Sequence, residues 1–96
     1  MNRSIGIIEV IGLVTATACI DAMVKSAYVE VFNIHRTGSG MITIMIQGDL
    51  ASIKEALDIG ESVAHRYGEL VAVRAIARPY DGLEKLTGTT EKGAEQ

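Results

Sequence analysis

Tryptophan is absent from the chain, phenylalanine occurs once and tyrosine three times. The aromatic platforms on which single-stranded bases stack are missing, and a net charge of −3 supplies no basic footprint for a phosphate backbone. Nucleic acid is not the expected partner, and an RNA-binding module, which salt-sensitive RNA binding would reveal, is the third reading. Cys19 is the one cysteine, so no internal disulfide can form and a cytosolic setting is expected. The apolar run after Met1-Asn2-Arg3-Ser4 is too short for a signal peptide or a membrane span, so no membrane partner is expected either. Charged residues make up only 22 % of the chain.

What is present is apolar surface: 48 % of the 96 residues are hydrophobic. That length suits one domain with one core, expected over residues 1–86 and followed by a flexible polar tail over 87–96. A chain this short buries only about 60–65 % of its unfolded surface, so apolar area is left over. On a monomer the surplus is an aggregation hazard, and contact with partner chains removes it. An oligomer is expected.

Ser4 to Ile11 is dominated by β-branched residues and reads as a strand, interrupted by Gly6 and one charge, Glu9. Leu13 to Ala27 changes period: Thr17, Asp21 and Lys25 recur on one helical face while Ala16, Cys19, Ile20 and Met23 cover the other. The apolar arc extends to Leu13, Val14, Ala18, Ala22 and Val24, wider than packing on one sheet requires. Tyr28 to Arg36 is a second strand, and Met41 to Gln47 a third in which Ile42, Ile44 and Ile46 alternate with Met41, Thr43, Met45 and Gln47. Between them, Thr37-Gly38-Ser39-Gly40 suits a hairpin, because glycine reaches the positive φ such loops need. Asp49 is a good N-cap for a helix reaching Tyr67, with a stripe of Leu50, Ile53, Leu57, Ala64 and Tyr67. Gly60 on that stripe permits close approach to the sheet. Gly68 is a plausible C-cap, Leu70 to Arg78 a fourth strand ending at Pro79, and a short helical turn is expected around Leu83 to Leu86. The order β-α-β-β-α-β fits an α+β ferredoxin-like sandwich, one antiparallel or mixed sheet with both helices on one face. That architecture hosts many functions, so the fold alone decides none of them.

The candidates for chemistry are His35, His65, Cys19, Glu9 and Glu30, and they form no catalytic spacing. Ala18-Cys19-Ile20 puts the thiol in apolar company with no adjacent base, so it reads as a core residue rather than a nucleophile. There is no Cys-His or paired-His metal pattern and no phosphate-binding loop with lysine. Gly38-Ser39-Gly40 lacks the strand-turn-helix setting of a nucleophile elbow, because another strand follows. Catalysis, a metal and a cofactor are not expected. Glu9 in an apolar strand must be hydrogen-bonded, paired or at an interface.

Five segments in register carry a more specific signal: Asp21-Ala22-Met23-Val24-Lys25-Ser26-Ala27, Arg36-Thr37-Gly38-Ser39-Gly40, Gln47-Gly48-Asp49, Gly68-Glu69-Leu70 and Ala77-Arg78-Pro79-Tyr80. In order and spacing they resemble the hexagonal shell proteins of bacterial microcompartments, over about residues 5 to 80. The resemblance implies a single-domain homohexamer, tiled edge to edge with other hexamers and other shell proteins into facets around encapsulated enzymes. It implies that Thr37, Gly38, Ser39 and Gly40 line a pore at the six-fold axis for small polar or anionic metabolites, with His35 and Arg36 at the pore mouth. Lys25 and Arg78 match the residues at the contact between hexamers, and Tyr28 stands at that edge where relatives often carry a small polar residue. The tail from Thr87 onward has no match in the family. The competing reading is an oligomeric small-molecule-binding regulatory domain of ferredoxin-like fold, which saturable ligand binding would reveal.

Overall fold

The computed structural model describes residues 3–78. The expected helical turn at Leu83 to Leu86, the 87–96 tail and the domain limit at residue 86 lie outside them. The order is β1 (Ser4–Ile11), α1 (Leu13–Ser26), β2 (Glu30–Arg36), β3 (Met41–Gly48), α2 (Leu50–Tyr67) and β4 (Glu69–Ile76). The sheet runs β2-β3-β1-β4 with every neighbouring pair antiparallel. The third strand thus lies between the two halves of the first β-α-β unit, as the ferredoxin-like reading requires.

Both helices cover one face of the sheet. Ile8 and Val10 of β1 and Ile42, Ile44 and Ile46 of β3 are buried there, while the residues between them are half-buried on the face without helices. Facing them are Ala16, Cys19 and Met23 of α1 and Ile53, Ala56, Leu57 and Ala64 of α2. α1 packs over β1, β3 and β2, and α2 lies mainly over β1 and β4. Gly60 lets α2 pack closely on α1 and the sheet: a Cβ there would stand 2.8 Å from the Met23 sulfur and 3.1 Å from Ile8 Cδ1. The Cys19 thiol donates to the Gly60 carbonyl at 3.3 Å, which ties the two helices together inside the core.

Several expected boundaries move, each for a local reason. β2 starts at Glu30 rather than Tyr28, because the Val29 N–H bonds the Ala27 carbonyl at 2.9 Å and closes a tight turn with Tyr28 at its apex. β4 ends at Ile76, which pairs with Ile5, because β1 has one residue left to offer beyond that point. Tyr67 is half exposed rather than part of the core stripe, and Ala56 and Gly60 take the inner positions of α2. Each outer strand also carries a bulge. In β2, Val31 pairs with Ile46 and Asn33 with Met45, leaving Phe32 out of register; in β4, Leu70 pairs with Val10 and Ala72 with Glu9, leaving out Val71.

Candidate functional site: the glycine loop and the opposite edge

The chain reverses between β2 and β3 through residues 37–40, and its turn is held by its own backbone. The Thr37 N–H donates to the Met41 carbonyl at 3.0 Å, and the Gly40 N–H to the Thr37 carbonyl at 3.3 Å. The Gly12 N–H donates to the Gly40 carbonyl at 3.0 Å, so the loop is fastened to the start of α1 as well as to the hairpin. Of the two loop glycines only Gly40 takes a positive φ, +88°. A Cβ built on either would meet nothing within 4 Å in the same chain. The Thr37 and Ser39 hydroxyl oxygens lie 3.1 Å apart at the exposed tip, and Thr37 Oγ1 also reaches the Met41 carbonyl at 3.3 Å. This tip offers hydroxyls and glycine backbone, the groups that replace water around a small polar solute.

His35 and Arg36 lead into the loop, and the strand pleat sends them to opposite sides. His35 pairs with Thr43, on the face without helices, and Arg36 with the inward-facing Ile42. In the same row as His35, Glu9 accepts a hydrogen bond from the Thr43 hydroxyl at 3.1 Å, which gives one carboxylate oxygen a partner in its apolar strand.

The edge candidates stand at the other end of the molecule. Because α1 runs back along β1, its last turn lies near the start of β1, far from residues 37–40. Lys25 is exposed there, 3.4 Å from Asp21 in the acid-before-base order, a pair worth about 0.3–0.5 kcal/mol. Tyr28 is 93 % exposed, and Arg78 is exposed just past β4. Arg3, Val24, Ala27, Tyr28, Val29, Glu30 and Asp49 line an open cleft at this end, a grouping that no spacing in the sequence announces. Asp49 accepts the Ser52 N–H at 2.8 Å as the cap of α2. That bond, with the Ser52 hydroxyl and a smaller pull from Arg3, holds its carboxyl below the usual carboxylate range.

The other candidates for chemistry stay apart. Cys19 is fully buried, and burial pushes its thiol up, away from the reactive thiolate. His65 lies on the exposed side of α2, 3.8 Å from Glu61. Among the described residues no cluster of three or more acidic, histidine or cysteine side chains could hold a metal ion, and no helix is long and apolar enough to cross a membrane.

The BMC domain model matches residues 4–79, which is every described strand and helix. The chain belongs to the BMC domain family. It is 42 % identical over 91 residues to the bacterial microcompartment shell protein EutM of Salmonella typhimurium, covering 95 % of both chains. It is 40 % identical over 85 residues to the shell protein PduA of Citrobacter freundii, covering 88 % of this chain and 91 % of that one. A solved microcompartment protein from Desulfitobacterium hafniense superposes with a TM-score of 0.74 at 22 % identity, over 94 % of this chain and 49 % of the solved one. That likeness establishes the fold, and this chain spans about half the solved chain's length. By family, then, this BMC domain is a structural shell protein of a bacterial microcompartment and not an enzyme.

Sequence reasoning missed the sides of the molecule. Phe32 and Ile34 on β2, and Val71 and Ile76 on β4, are large apolar residues exposed on the two outer strands. Their run of hydrophobics reads as core in the sequence, and only the strand order shows that both strands are edges.

Proposed function

We propose that this shell protein closes into a cyclic homohexamer, with residues 37–40 of the six copies around a central pore for small polar or anionic metabolites. Hexamers then join edge to edge, with one another and with other shell proteins, through Lys25, Tyr28 and Arg78. The resulting facets enclose enzymes within the bacterial cytoplasm.

The observation that carries this reading is the distribution of exposed apolar side chains. Leu13, Val14, Val24, Phe32 and Ile34 lie on the α1–β2 flank, and Tyr67, Val71 and Ile76 on the α2–β4 flank. A ring uses a heterologous contact, in which one flank of each copy meets the other flank of the next. Two different apolar flanks, with a polar loop at one end between them, suit that geometry. The bulges at Phe32 and Val71 disfavour a continuous inter-subunit ladder, so the contact is made by side chains. The empty space around Gly38 and Gly40 leaves room for other copies to crowd the axis. Exposed Ser39 hydroxyls then replace water for a polar solute, and Arg36 favours anions.

The test is the native mass of the purified protein beside a Lys25→Ala variant, with both inspected by electron microscopy. The expected result is six subunits in each, with extended sheets or tubes in the unmodified protein only. A monomer or dimer without arrays overturns the ring, and saturable binding of a small ligand by such a species favours a regulatory domain.

A further inference from the structure

Among the described residues Tyr28 is the most exposed large hydrophobic side chain, at 93 %, yet its backbone is held on both sides. The Val29 N–H bonds the Ala27 carbonyl at 2.9 Å, and the Ala27 N–H bonds the Met23 carbonyl at 3.2 Å, so the turn continues the last turn of α1. On its other side the turn rests on Gly48, where a Cβ would stand 2.9 Å from the Tyr28 carbonyl oxygen. The backbone is fixed while the phenol ring stands in solvent. Beside it lies the open cleft, about 490 Å³ in volume, with Val24, Ala27 and Val29 as its apolar lining and Arg3, Glu30 and Asp49 as its charged lining. Tyr28 borders this cleft without filling it, since its side chain is exposed. A cavity of about 150 Å³ accepts a benzene ring, so the cleft has room for a phenol.

The cleft lies far from the glycine loop. Gly12 is tied to Gly40, and α1 then runs 14 residues away from that point. At 1.5 Å per residue this is about 21 Å, which puts Tyr28 at the rim when residues 37–40 surround the axis. Resting on the edge-to-edge reading above, we propose that Tyr28 of each copy docks in this cleft of the facing copy in the neighbouring ring, and that its own cleft receives the facing copy's tyrosine. The occupant is thus a second copy of this chain.

Symmetry and charge both favour that occupant. Equivalent rings in a flat layer meet across two-fold axes, which bring the same residues of the two copies together. An anchor and a receptor side by side on one copy are then both used by a single rotation. The same axis brings Arg3 of one copy toward Glu30 and Asp49 of the other, and a patch with both signs is complementary to itself under a two-fold. A docked tyrosine buries about 150–250 Å², and its hydroxyl stays among the charged groups of the lining. Because the turn is already fixed, little backbone freedom is lost when the contact forms. Tyr28 is therefore the residue that selects the neighbour: a chain with a small side chain here leaves the facing cleft empty.

The experiment compares the unmodified protein with Tyr28→Ala, Tyr28→Phe and Lys25→Ala. Native mass reads the ring, electron microscopy reads sheets, and hydroxyl-radical labelling located by mass spectrometry reads the cleft. Six subunits are expected in every sample, with sheets in the unmodified protein and Tyr28→Phe and none in Tyr28→Ala. In the sheets, labelling of Tyr28, Val24 and Val29 should fall severalfold below that in the separate Lys25→Ala rings. Tyr28→Ala sheets that match those of the unmodified protein overturn the anchor and leave the edge reading standing. Protection of Tyr28 alone, with Val24 and Val29 labelled as in separate rings, places the phenol outside the cleft and overturns the docking. An unmodified protein that forms no ring, or rings without sheets, overturns the edge reading and this inference with it.

Discussion

Gly38 and Gly40 stand two residues apart in the same loop and are not equivalent. Gly40 holds φ at +88°, where a side chain crowds the backbone, and Gly38 does not. Gly40→Ala should therefore cost about 1–2 kcal/mol, read as a lowered denaturation midpoint, and Gly38→Ala should leave the midpoint within error. Gly38→Ala instead adds a methyl where copies meet in the proposed ring, so its effect belongs to solute passage. Equal losses of stability in both variants would contradict the conformational argument. Among the described residues the Ser39 hydroxyl hydrogen-bonds Thr37 at the exposed tip, so Ser39→Leu should leave the fold intact. In assembled shells it should slow the passage of a polar metabolite severalfold, measured as flux, because apolar side chains cannot replace the water such a solute loses. The loop was legible in the sequence because two glycines around a serine between β-branched runs admit few structures. The different demands on the two glycines were not, since both look alike until the backbone angle is seen.

At the scale of elements, α2 offers the clearest case of a local signal that the structure obeys. Asp49 caps its first turn by accepting the Ser52 N–H, and the same bond lowers the carboxyl's affinity for protons. The sign follows directly: the folded chain holds the proton less tightly than the unfolded one, so the stabilisation is present above the ordinary aspartate value of about 4 and fades as pH falls through the lower folded value. Asp49→Ala should lower the melting temperature by a few degrees at pH 7, with the difference from the unmodified protein shrinking below about pH 4. A difference that stays constant down to pH 2 would rule out the charged cap. The alternation of Ile42, Ile44 and Ile46 identified β3 and its buried face for the same kind of reason, because a period of two has one structural meaning in a half-buried strand. β2 and β4 resisted such reading. Their bulges at Phe32 and Val71 insert a residue and reset the alternation, and a bulge is defined by the partner strand rather than by its own sequence. The Tyr28 turn escaped notice likewise, since Tyr28 and Val29 are good strand formers that the Val29-to-Ala27 hydrogen bond keeps out of the sheet.

For the whole molecule the decisive question is how one flank recognises another. In the proposed ring the α1–β2 flank of each copy meets the α2–β4 flank of the next, so a copy with one spoiled flank can still make one contact but cannot pass the chain onward. Phe32→Asp places a charge on the first flank, and Val71→Asp places one on the second. A charge buried in an apolar contact without a partner is costly enough to abolish that contact. Each variant alone should therefore be a monomer, because its intact flank finds only spoiled ones. Mixed in equal amounts, the two should form a heterodimer, in which the intact α1–β2 flank of the Val71→Asp copy meets the intact α2–β4 flank of the Phe32→Asp copy. The complex stops at two subunits because both remaining flanks carry a charge. A two-fold contact between identical flanks behaves differently, since each variant would then pair with itself before any mixing. Native mass spectrometry with one variant isotopically labelled separates these outcomes: a mixed dimer seen only after mixing supports the heterologous ring, whereas dimers in the unmixed samples sink it.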